Sequence, residues 1–433
     1  MKNRLGLLAL LALAPVACGV ETPDSTQRGL EAWDSAGITI SMSSDSTWVE
    51  ETRWSVATEP SVVIGTLEGD DPHTIFGRIG GVGVLSDGRI VVADGHAREI
   101  RVFDRDGLYL TTLGGRGEGP GEFENLWGFA TIAGDTIVIR DGSAFKQIYF
   151  APDGSGSRTV LGPPPIWNDL FPVYVGGWLP DGSAVISTIV QRSEYPPGTN
   201  LVTAPWHLFD PLGNHQAFIG QLPDVWAHND GEGKAALVFS PGAAIQPDGS
   251  GFWHGFSEKV ELVHHTADGV DRIIRTGYEP PPVTEVLRDA FRAKSAESTR
   301  LQIAEGVSPD QRRVIRARDA EFQFAERLPA YQRFLISTDG YFWLENYYSV
   351  EELSDPSLSR SDRSGPVGWT VLSPEGEWLG TIEIPAGLSL RTVTEDRIVG
   401  VMKDEVDVQY VFVFELEKPN QVIDRRPSGD TDC

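Results

Sequence analysis

The sequence predicts an all-β protein built from six copies of one four-stranded antiparallel meander, arranged as a closed ring of sheets. Three observations carry that prediction. Residues Val82–Phe123 hold four short apolar runs (Val82–Leu85, Arg89–Ala93, Glu99–Phe103, Leu108–Leu113) separated by Asp-Gly or glycine-rich turns. Such runs, rich in Val, Ile, Leu, Tyr and Thr and partly alternating with polar residues, are the pattern of half-buried strands. The two turns of the unit recur at fixed spacing, 19 residues in two uninterrupted copies (87 to 106, 135 to 154) and 20 in a third (248 to 268). A fixed period is what a repeat fold demands. Finally, the last copy is one strand short, and a strand-like stretch before the first copy can supply it.

Taken in order, residues 1–17 read as a lipoprotein-type signal peptide. Lys2 and Arg4 give a positive start, and Leu5–Ala14 is an apolar run too short to span a bilayer permanently. Pro15-Val16-Ala17-Cys18-Gly19 follows. A small residue directly before a cysteine at this point resembles the lipobox of bacterial lipoproteins, in which the cysteine is lipidated and becomes the mature N-terminus. Pro15 departs from the usual leucine. Cleavage after Ala14 instead would put a proline just past the cut, which signal peptidases tolerate badly. Lipidation of Cys18 leaves Cys433 as the one remaining cysteine and no intrachain disulfide. Residues 18–36, polar and rich in Pro, Ser, Thr and Asp, read as a flexible tether.

The repeat body is expected over 37–417. Gly37–Met42 and Trp54–Gly65 are strand-like, and Trp54–Gly65 resembles the end of a repeat whose beginning is missing. The first meander is followed by copies at Trp127–Gly162, Tyr174–Leu222, Gly242–Tyr278 and Arg333–Ile384, and by a three-stranded one at Leu388–Leu416. Trp54–Gly65 then closes the sixth sheet. Insertions interrupt the third copy at Gln191–Pro205 and the fifth at Ser349–Val367. Between the fourth and fifth, residues 283–328 have helical composition, read as two helices over Thr284–Ile303 and Ser308–Arg327. Ser308-Pro309-Asp310-Gln311 has the form of a capping-box start. Residues 418–433 form a polar tail expected to be disordered.

In a four-stranded meander the first and third turns lie on one edge, and the second turn and the exit lie on the other. The Asp-Gly turns that set the repeat spacing are first or third turns and short; every elaboration falls on the opposite edge. Recognition usually sits on loops held by a rigid scaffold, so that edge is where function is sought. Loops that merely cover a channel mouth would look the same.

A formal net charge of −26 over 433 residues argues against nucleic acid and anionic membrane surfaces as partners. The loop Gly114–Gly121 invites a phosphate-binding reading. It lacks the GKS/GKT ending, carries Glu118 and leads into a strand rather than a helix, so a tight structural return is the better reading. Asp94-Gly95 and Asp141-Gly142 occupy equivalent second turns, with His254-Gly255 their counterpart in the fourth copy. A ring of such groups could hold a divalent cation, but an aspartate bonding its own turn amides explains the recurrence more simply. His264 and His265 point to opposite faces of one strand and cannot chelate together. No Gly-x-Ser-x-Gly elbow marks a nucleophile, and no catalytic, cofactor-binding or metal-ligand residue is assigned. Aromatic residues near the elaborated edge include Phe123, Trp127, Trp206 and Trp226, which suit blade packing, and Tyr195, Tyr347 and Tyr348, which lie in or beside insertions. The candidate ligand or partner face comprises Asp94, His96, Arg116, Glu118, Asp141, Tyr195, His254, Tyr347 and Tyr348.

The glycine-rich exit with its phenylalanine, the Val-Val-Ala-Asp strand and the Arg-Val-Phe-Asp strand resemble NHL-type repeats. Arg116-Gly117-Glu118-Gly119-Pro120-Gly121-Glu122-Phe123 looks like the signature of exported bacterial six-bladed β-propeller proteins of that group. The likeness spans roughly Trp54–Leu416 and is sharpest in the first two copies. It implies a six-bladed β-propeller. NHL and related propellers mostly bind proteins or small ligands, and many exported members have no assigned activity. Related six-bladed folds include metal-dependent lactonases and amidating lyases, whose ligand sets have no matching positions here. The expectation is therefore a monomeric, lipid-anchored envelope protein facing the periplasm from the outer membrane. It would bind a protein or small ligand through its long-loop face, the alternative being a lyase- or hydrolase-type enzyme with a divalent cation at the channel mouth.

Overall fold

The short turns set the geometry of every blade. Gly88, Gly107, Gly154, Gly182, Gly340 and Gly376 all have φ between 73° and 96°, a region that glycine enters without the steric penalty a Cβ brings. A carboxylate beside several of these turns accepts amides of the turn itself: Asp104 Oδ1 takes Asp106 N at 2.9 Å and Leu108 N at 2.8 Å. Asp181 Oδ1 likewise takes Ser183 N at 2.8 Å.

The computed structural model describes residues 29–67, 71–142, 146–161, 172–188, 195–231, 234–304, 322–354 and 365–419. Six antiparallel sheets surround a central axis. Blade 1 consists of Ile79–Val84, Ile90–Asp94, Glu99–Phe103 and Tyr109–Leu113, from the inside outward. Blade 2 consists of Leu126–Ile132, Thr136–Asp141, Lys146–Phe150 and Ser157–Leu161. Blade 3 is Pro172–Trp178, Ala184–Thr188, Gly198–Phe209 and His215–Asn229, with Lys234–Ala236 at its edge. Blade 4 contains Ala243–Pro247, Phe252–Phe256, Glu261–Thr266 and Gly269–Thr276. Blade 5 is Tyr331–Ile336, Phe342–Asn346, Val367–Leu372 and Trp378–Ile384, and blade 6 begins with Ser389–Val393, Arg397–Lys403 and Gln409–Glu417. The innermost strands touch their neighbours all the way round, blade 6 meeting blade 1. The protein is a six-bladed β-propeller.

The missing outer strand of blade 6 comes from the N-terminal side, as the repeat count requires. It arrives in two pieces: Ser55–Val56 pairs with Leu416 and Glu417, and Val62–Ile64 pairs with Val411–Val413. Each seam between blades has its own buried cluster. Val62 and Ile64 enter the blade 6–blade 1 seam with Phe76, Val92 and Phe103. Trp54 enters the blade 5–blade 6 seam with Trp343 and Trp369, its ring 4.9 Å from that of Tyr341 and 5.4 Å from that of Trp48.

Four expectations need correction. The tether read over 18–36 does not run that far, because Leu30–Ser35 is a strand paired with Ile38–Ser43. Ala36 and Gly37, at φ 56° and 84°, make a tight hairpin turn without the Asn-Gly or Asp-Gly that announces one. This hairpin then joins blade 4 in parallel beside Gly269–Thr276, so that blade has six strands rather than four. In blade 3, the described part of the Gln191–Pro205 insertion is mostly continuous strand, since Gly198–Phe209 pairs with His215–Asn229 along a hairpin that outreaches the blade. The tail does not begin at 418, because Lys418 bonds Asp339 and lies 4.5 Å from the Trp54 ring centre.

In the long exit from blade 4, helix α1 (Glu285–Ala304) matches the first helix expected. Most of the second, Ser308–Arg327, lies outside the described residues. Its end is extended rather than helical, with Phe324 bridging to Val238 and Arg327 to Pro282. A short helix α2 (Val350–Ser354) opens the blade 5 insertion, capped reciprocally by Ser349 and Glu352 at 2.6 and 3.1 Å.

Because Trp54 is 3% exposed and packed by three aromatic rings, Trp54→Ala is expected to cost about 3–5 kcal/mol. Lys418→Ala removes a partly exposed ion pair and should cost under about 1 kcal/mol. Urea denaturation monitored by circular dichroism tests both, and equal midpoints for the two variants would contradict this account of ring closure.

Candidate functional site

The elaborated edge holds two different kinds of feature: internal latches and open hollows. Asp94, at the end of the second strand of blade 1, is fully buried. Its carboxylate accepts Gly77 N at 2.9 Å and Arg78 N at 3.2 Å from the incoming chain. It also accepts His96 N at 2.8 Å and Ala97 N at 3.1 Å from its own turn, while Arg101 lies 3.9 Å away. Asp141 repeats the arrangement in blade 2, holding Glu124 N at 3.0 Å and Asn125 N at 3.2 Å with Lys146 at 3.8 Å. The recurrence therefore reflects a latch joining each blade's entry to its second turn. It extends beyond the turn's own amides, which sequence reasoning alone had proposed.

His254, expected as the second-turn counterpart in blade 4, instead lies within the strand Phe252–Phe256, paired with Ile245 and Val263; it is buried and directs Nε2–H to Pro223 O at 3.2 Å. Burial holds its pKa below the usual histidine value. Asp94 and Asp141 thus act as latches and His254 does not, and each of the three is engaged by protein groups. Among the described residues, no group of three or more His, Cys, Asp or Glu side chains lies close enough to hold a metal ion.

The other candidate residues scatter. His96 is exposed above Gly77. Arg116 is largely exposed, and it and Arg98 approach Glu124 at 3.6 and 3.3 Å. Glu118 is exposed on the glycine-rich loop, where Glu122 accepts Gly119 N at 2.8 Å. A carboxylate already holding the loop's amide is the wrong chemistry for a phosphate cradle, and Phe123, fully buried, anchors the return. Tyr195 braces the long blade 3 hairpin, its hydroxyl donating to Thr203 O at 3.3 Å and its carbonyl accepting Asn229 Nδ2 at 2.6 Å.

Tyr347 and Tyr348 are different. Their rings meet edge to face at 5.6 Å, and both line two adjoining hollows at the seam between blades 4 and 5. The larger, about 420 Å³, is walled by Tyr278, Pro281, Leu328, Asn346, Trp378 and Thr381 among others. The smaller, about 330 Å³, lies toward the start of the inner strands and includes Ser240, Ser257, Tyr331 and Gln332. Above them a separate apolar cluster, Phe239, Val283, Leu287, Leu328 and Leu353, packs α1 and α2 together over the seam. The exit of one blade and the second turn of the next are neighbours in any propeller, so the adjacency of these two insertions was available from the repeat numbering. The cleft they frame was not.

His264 and His265 of blade 4 lie toward the opposite edge and serve the fold. His264 bonds Asp271 at 2.6 Å and Asp248 at 3.1 Å, and Asp248 also accepts Trp253 Nε1–H at 2.8 Å. Burial would lower the His264 pKa, but the two carboxylates outweigh it and raise it. His265, on the other strand face, stacks on Phe252 at 5.0 Å and is pushed down to about 4 by burial.

A protein-family model described as a 6-bladed beta-propeller, DUF5128, matches residues 67–155. Among solved structures, a member of the DUF4221 family from Bacteroides vulgatus is similar over 85% of this chain and 100% of its own, at 9% identity and a TM-score of 0.52. A Bacteroides fragilis protein is similar over 88% of this chain and 100% of its own (11% identity, TM-score 0.45). Virginiamycin B lyase from Staphylococcus aureus is similar over 84% and 99% (11% identity, TM-score 0.37). No curated protein matches the sequence. These likenesses concern the fold, and function on propellers resides in sites that differ from one member to the next.

A depressed histidine pKa means the unfolded chain binds protons that the folded chain refuses. The contribution of His265 is therefore present above its unfolded value of 6.5 and is lost as pH falls from there toward about 4. His264 has the opposite sign, its contribution being present below 6.5 and lost as pH rises through its raised value. His265→Leu is expected to remove roughly 3 kcal/mol of stability change between pH 7 and 4. Urea midpoints of wild type and variant across that range test it, and parallel pH profiles would refute it.

Proposed function

We propose that this protein is a lipid-anchored envelope propeller that captures a ligand or a protein segment in the cleft between blades 4 and 5. One observation carries the reading. The helical exit of blade 4 and the insertion of blade 5, separated in sequence by a whole inner hairpin, pack on each other over one seam and leave a cleft of about 420 Å³ beneath them. Its walls combine tyrosine and tryptophan rings with the amide of Asn346 and the hydroxyls of Thr370 and Thr381. A mostly apolar hollow with a few placed polar groups is the usual form of a small-ligand site. Tyrosine and tryptophan supply contact area with a polar tip and are favoured where partners dock.

Export and anchoring rest on the leader. Its charged start, short apolar run and Ala17-Cys18 junction support lipidation of Cys18, which lies outside the described residues. The acidity of the chain suits a protein held near a membrane by its lipid rather than by surface charge. Outer-membrane placement facing the periplasm, a monomeric state and binding rather than catalysis belong to the same proposal.

Two experiments test it. Thr381 is exposed at the cleft wall, so Thr381→Trp should fill the cleft and leave the melting temperature within a few degrees of wild type. Capture of the native partner or ligand from the envelope, read by cross-linking or native mass spectrometry, should fall at least tenfold. Undiminished capture by a folded Thr381→Trp protein would reject the cleft. Cys18→Ala should release the protein from the membrane fraction, and a variant that stays membrane-bound would reject the anchor.

A further inference from the structure

We infer that the axial channel carries an anion-binding site at Arg391, supported by Arg333, for a ligand presenting carboxylate or phosphate oxygens. The site is separate from the cleft between blades 4 and 5 and does not rest on it.

Arg391 is the middle residue of the innermost strand of blade 6. The strand pairing shifts there, Leu390 opposing Gly400 and Thr392 opposing Val399, which leaves Arg391 as the extra residue of a bulge. A bulge re-aims a side chain; the same shift recurs near the start of the innermost strands of blades 1, 2, 3 and 5, so what distinguishes blade 6 is the arginine placed there, where blade 1 has Gly80 and blade 2 has Trp127. Leu390 and Val393 point into the buried seam with blade 5, whereas Arg391 and Ser389 are exposed. On an innermost strand, that exposure is to the channel. Blade 5 has a matching irregularity in its innermost strand between Tyr331 and Phe334, and Arg333 lies within it.

The two arginines differ in what already holds them. Arg333 donates to Glu345 Oε2 at 2.7 Å and to Leu390 O at 3.0 Å, and its guanidinium sits 5.2 Å from the Trp369 ring centre. It is fixed, and Glu345 is committed to it. Arg391 makes no hydrogen bond, ion pair or ring contact among the described residues. Surrounding protein and then Arg333, which reaches the carbonyl of the preceding Leu390, lower its pKa. Glu345 offsets the charge of Arg333, but no described carboxylate pairs with Arg391, in a chain that has 62 acidic residues to place there. A guanidinium is a rigid fork of donors that matches carboxylate and phosphate oxygens two at a time. Ser389, exposed on the same strand two residues earlier, adds a hydroxyl within the same stretch of channel. A bound anion would supply the partner that Arg391 lacks among the described residues.

The test uses the full chain and two probes, inorganic phosphate and succinate, each against sodium chloride at equal ionic strength. Either probe should raise the melting temperature of the wild type above the chloride control. Isothermal titration should give an affinity for the better probe that weakens at least tenfold in Arg391→Met and less in Arg391→Lys, which keeps the charge but loses the fork. Without anion, Arg391→Met should melt no lower than wild type, because it removes an unpaired charge; a residue with a purely structural role would lower the melting temperature. A response to phosphate alone assigns a phosphate-bearing ligand, and a response to succinate alone a carboxylate. No anion-specific shift in the wild type, or an unchanged affinity in Arg391→Met, overturns the site. Thr381→Trp should leave the anion affinity unchanged, so this proposal and the cleft can fail independently.

Discussion

The pairing of Val62–Ile64 with Val411–Val413 is the contact on which the rest of the molecule depends. A four-stranded meander has two apolar faces and can cover neither alone, so each blade is stable only while both neighbours are in place. Five of the six seams form between blades whose chains follow one another. The sixth requires a strand from the other end of the propeller, and Val62 and Ile64 give it hydrophobic content as well as hydrogen bonds, while Trp54 of the same segment fills the seam between blades 5 and 6. Closing the ring also removes the free sheet faces that would otherwise invite aggregation.

Closure in turn decides where variation is tolerated. The short turns on one edge are tightly determined by positive-φ glycines and carboxylates, leaving little room for insertion. On the other edge the buried aspartates Asp94 and Asp141 tie entry segments to second turns. Beyond those latches the connections are free to lengthen, since long loops add only a slowly growing entropic cost. The helical exit of blade 4 and the insertion of blade 5 exploit that freedom at the same seam and shelter each other's apolar residues. Neither would bury its own: Leu287 and Phe291 of α1 need Phe239, Phe324 and Leu353 from other segments.

How much of this was legible in the sequence follows from the range of the forces involved. Strand alternation, Asp-Gly turns and the period of the repeat are local, and they yielded the blades, their order and the circular closure. The Leu30–Ser35 strand was missed because its turn uses Ala36 at positive φ and five of its six residues are exposed, so no alternation marks it. The continuous blade 3 hairpin was missed because its pairing runs past the repeat length, through residues read as the insertion Gln191–Pro205. The site was less legible than the fold. Asp94 and Asp141 drew attention by recurring, yet recurrence marked a structural latch. Tyr347 and Tyr348 were identified from their position beside an insertion, and they do line the hollows between blades 4 and 5.

Arg391 left no mark in the sequence, for a reason that applies to repeat proteins generally. An exposed polar residue on a strand is unremarkable by pattern, because alternation expects one at every second position. Its environment comes from the ring: the innermost strand has no outer solvent face, so an exposed side chain there projects into the channel. The bulge that turns Arg391 and the neighbouring irregularity at Arg333 are properties of pairing register, invisible without the partner strands. The same reasoning separates the two proposed sites by origin. The cleft between blades 4 and 5 arises from what was added to the propeller, whereas the cationic position in the channel arises from what the repeat itself was made to carry. A site of the first kind changes as insertions change; one of the second kind depends on the register of two inner strands. Because the inner strands are held by the closed ring, the geometry around Arg391 depends on the same closing pair, Val62–Ile64 with Val411–Val413, as the stability of the fold.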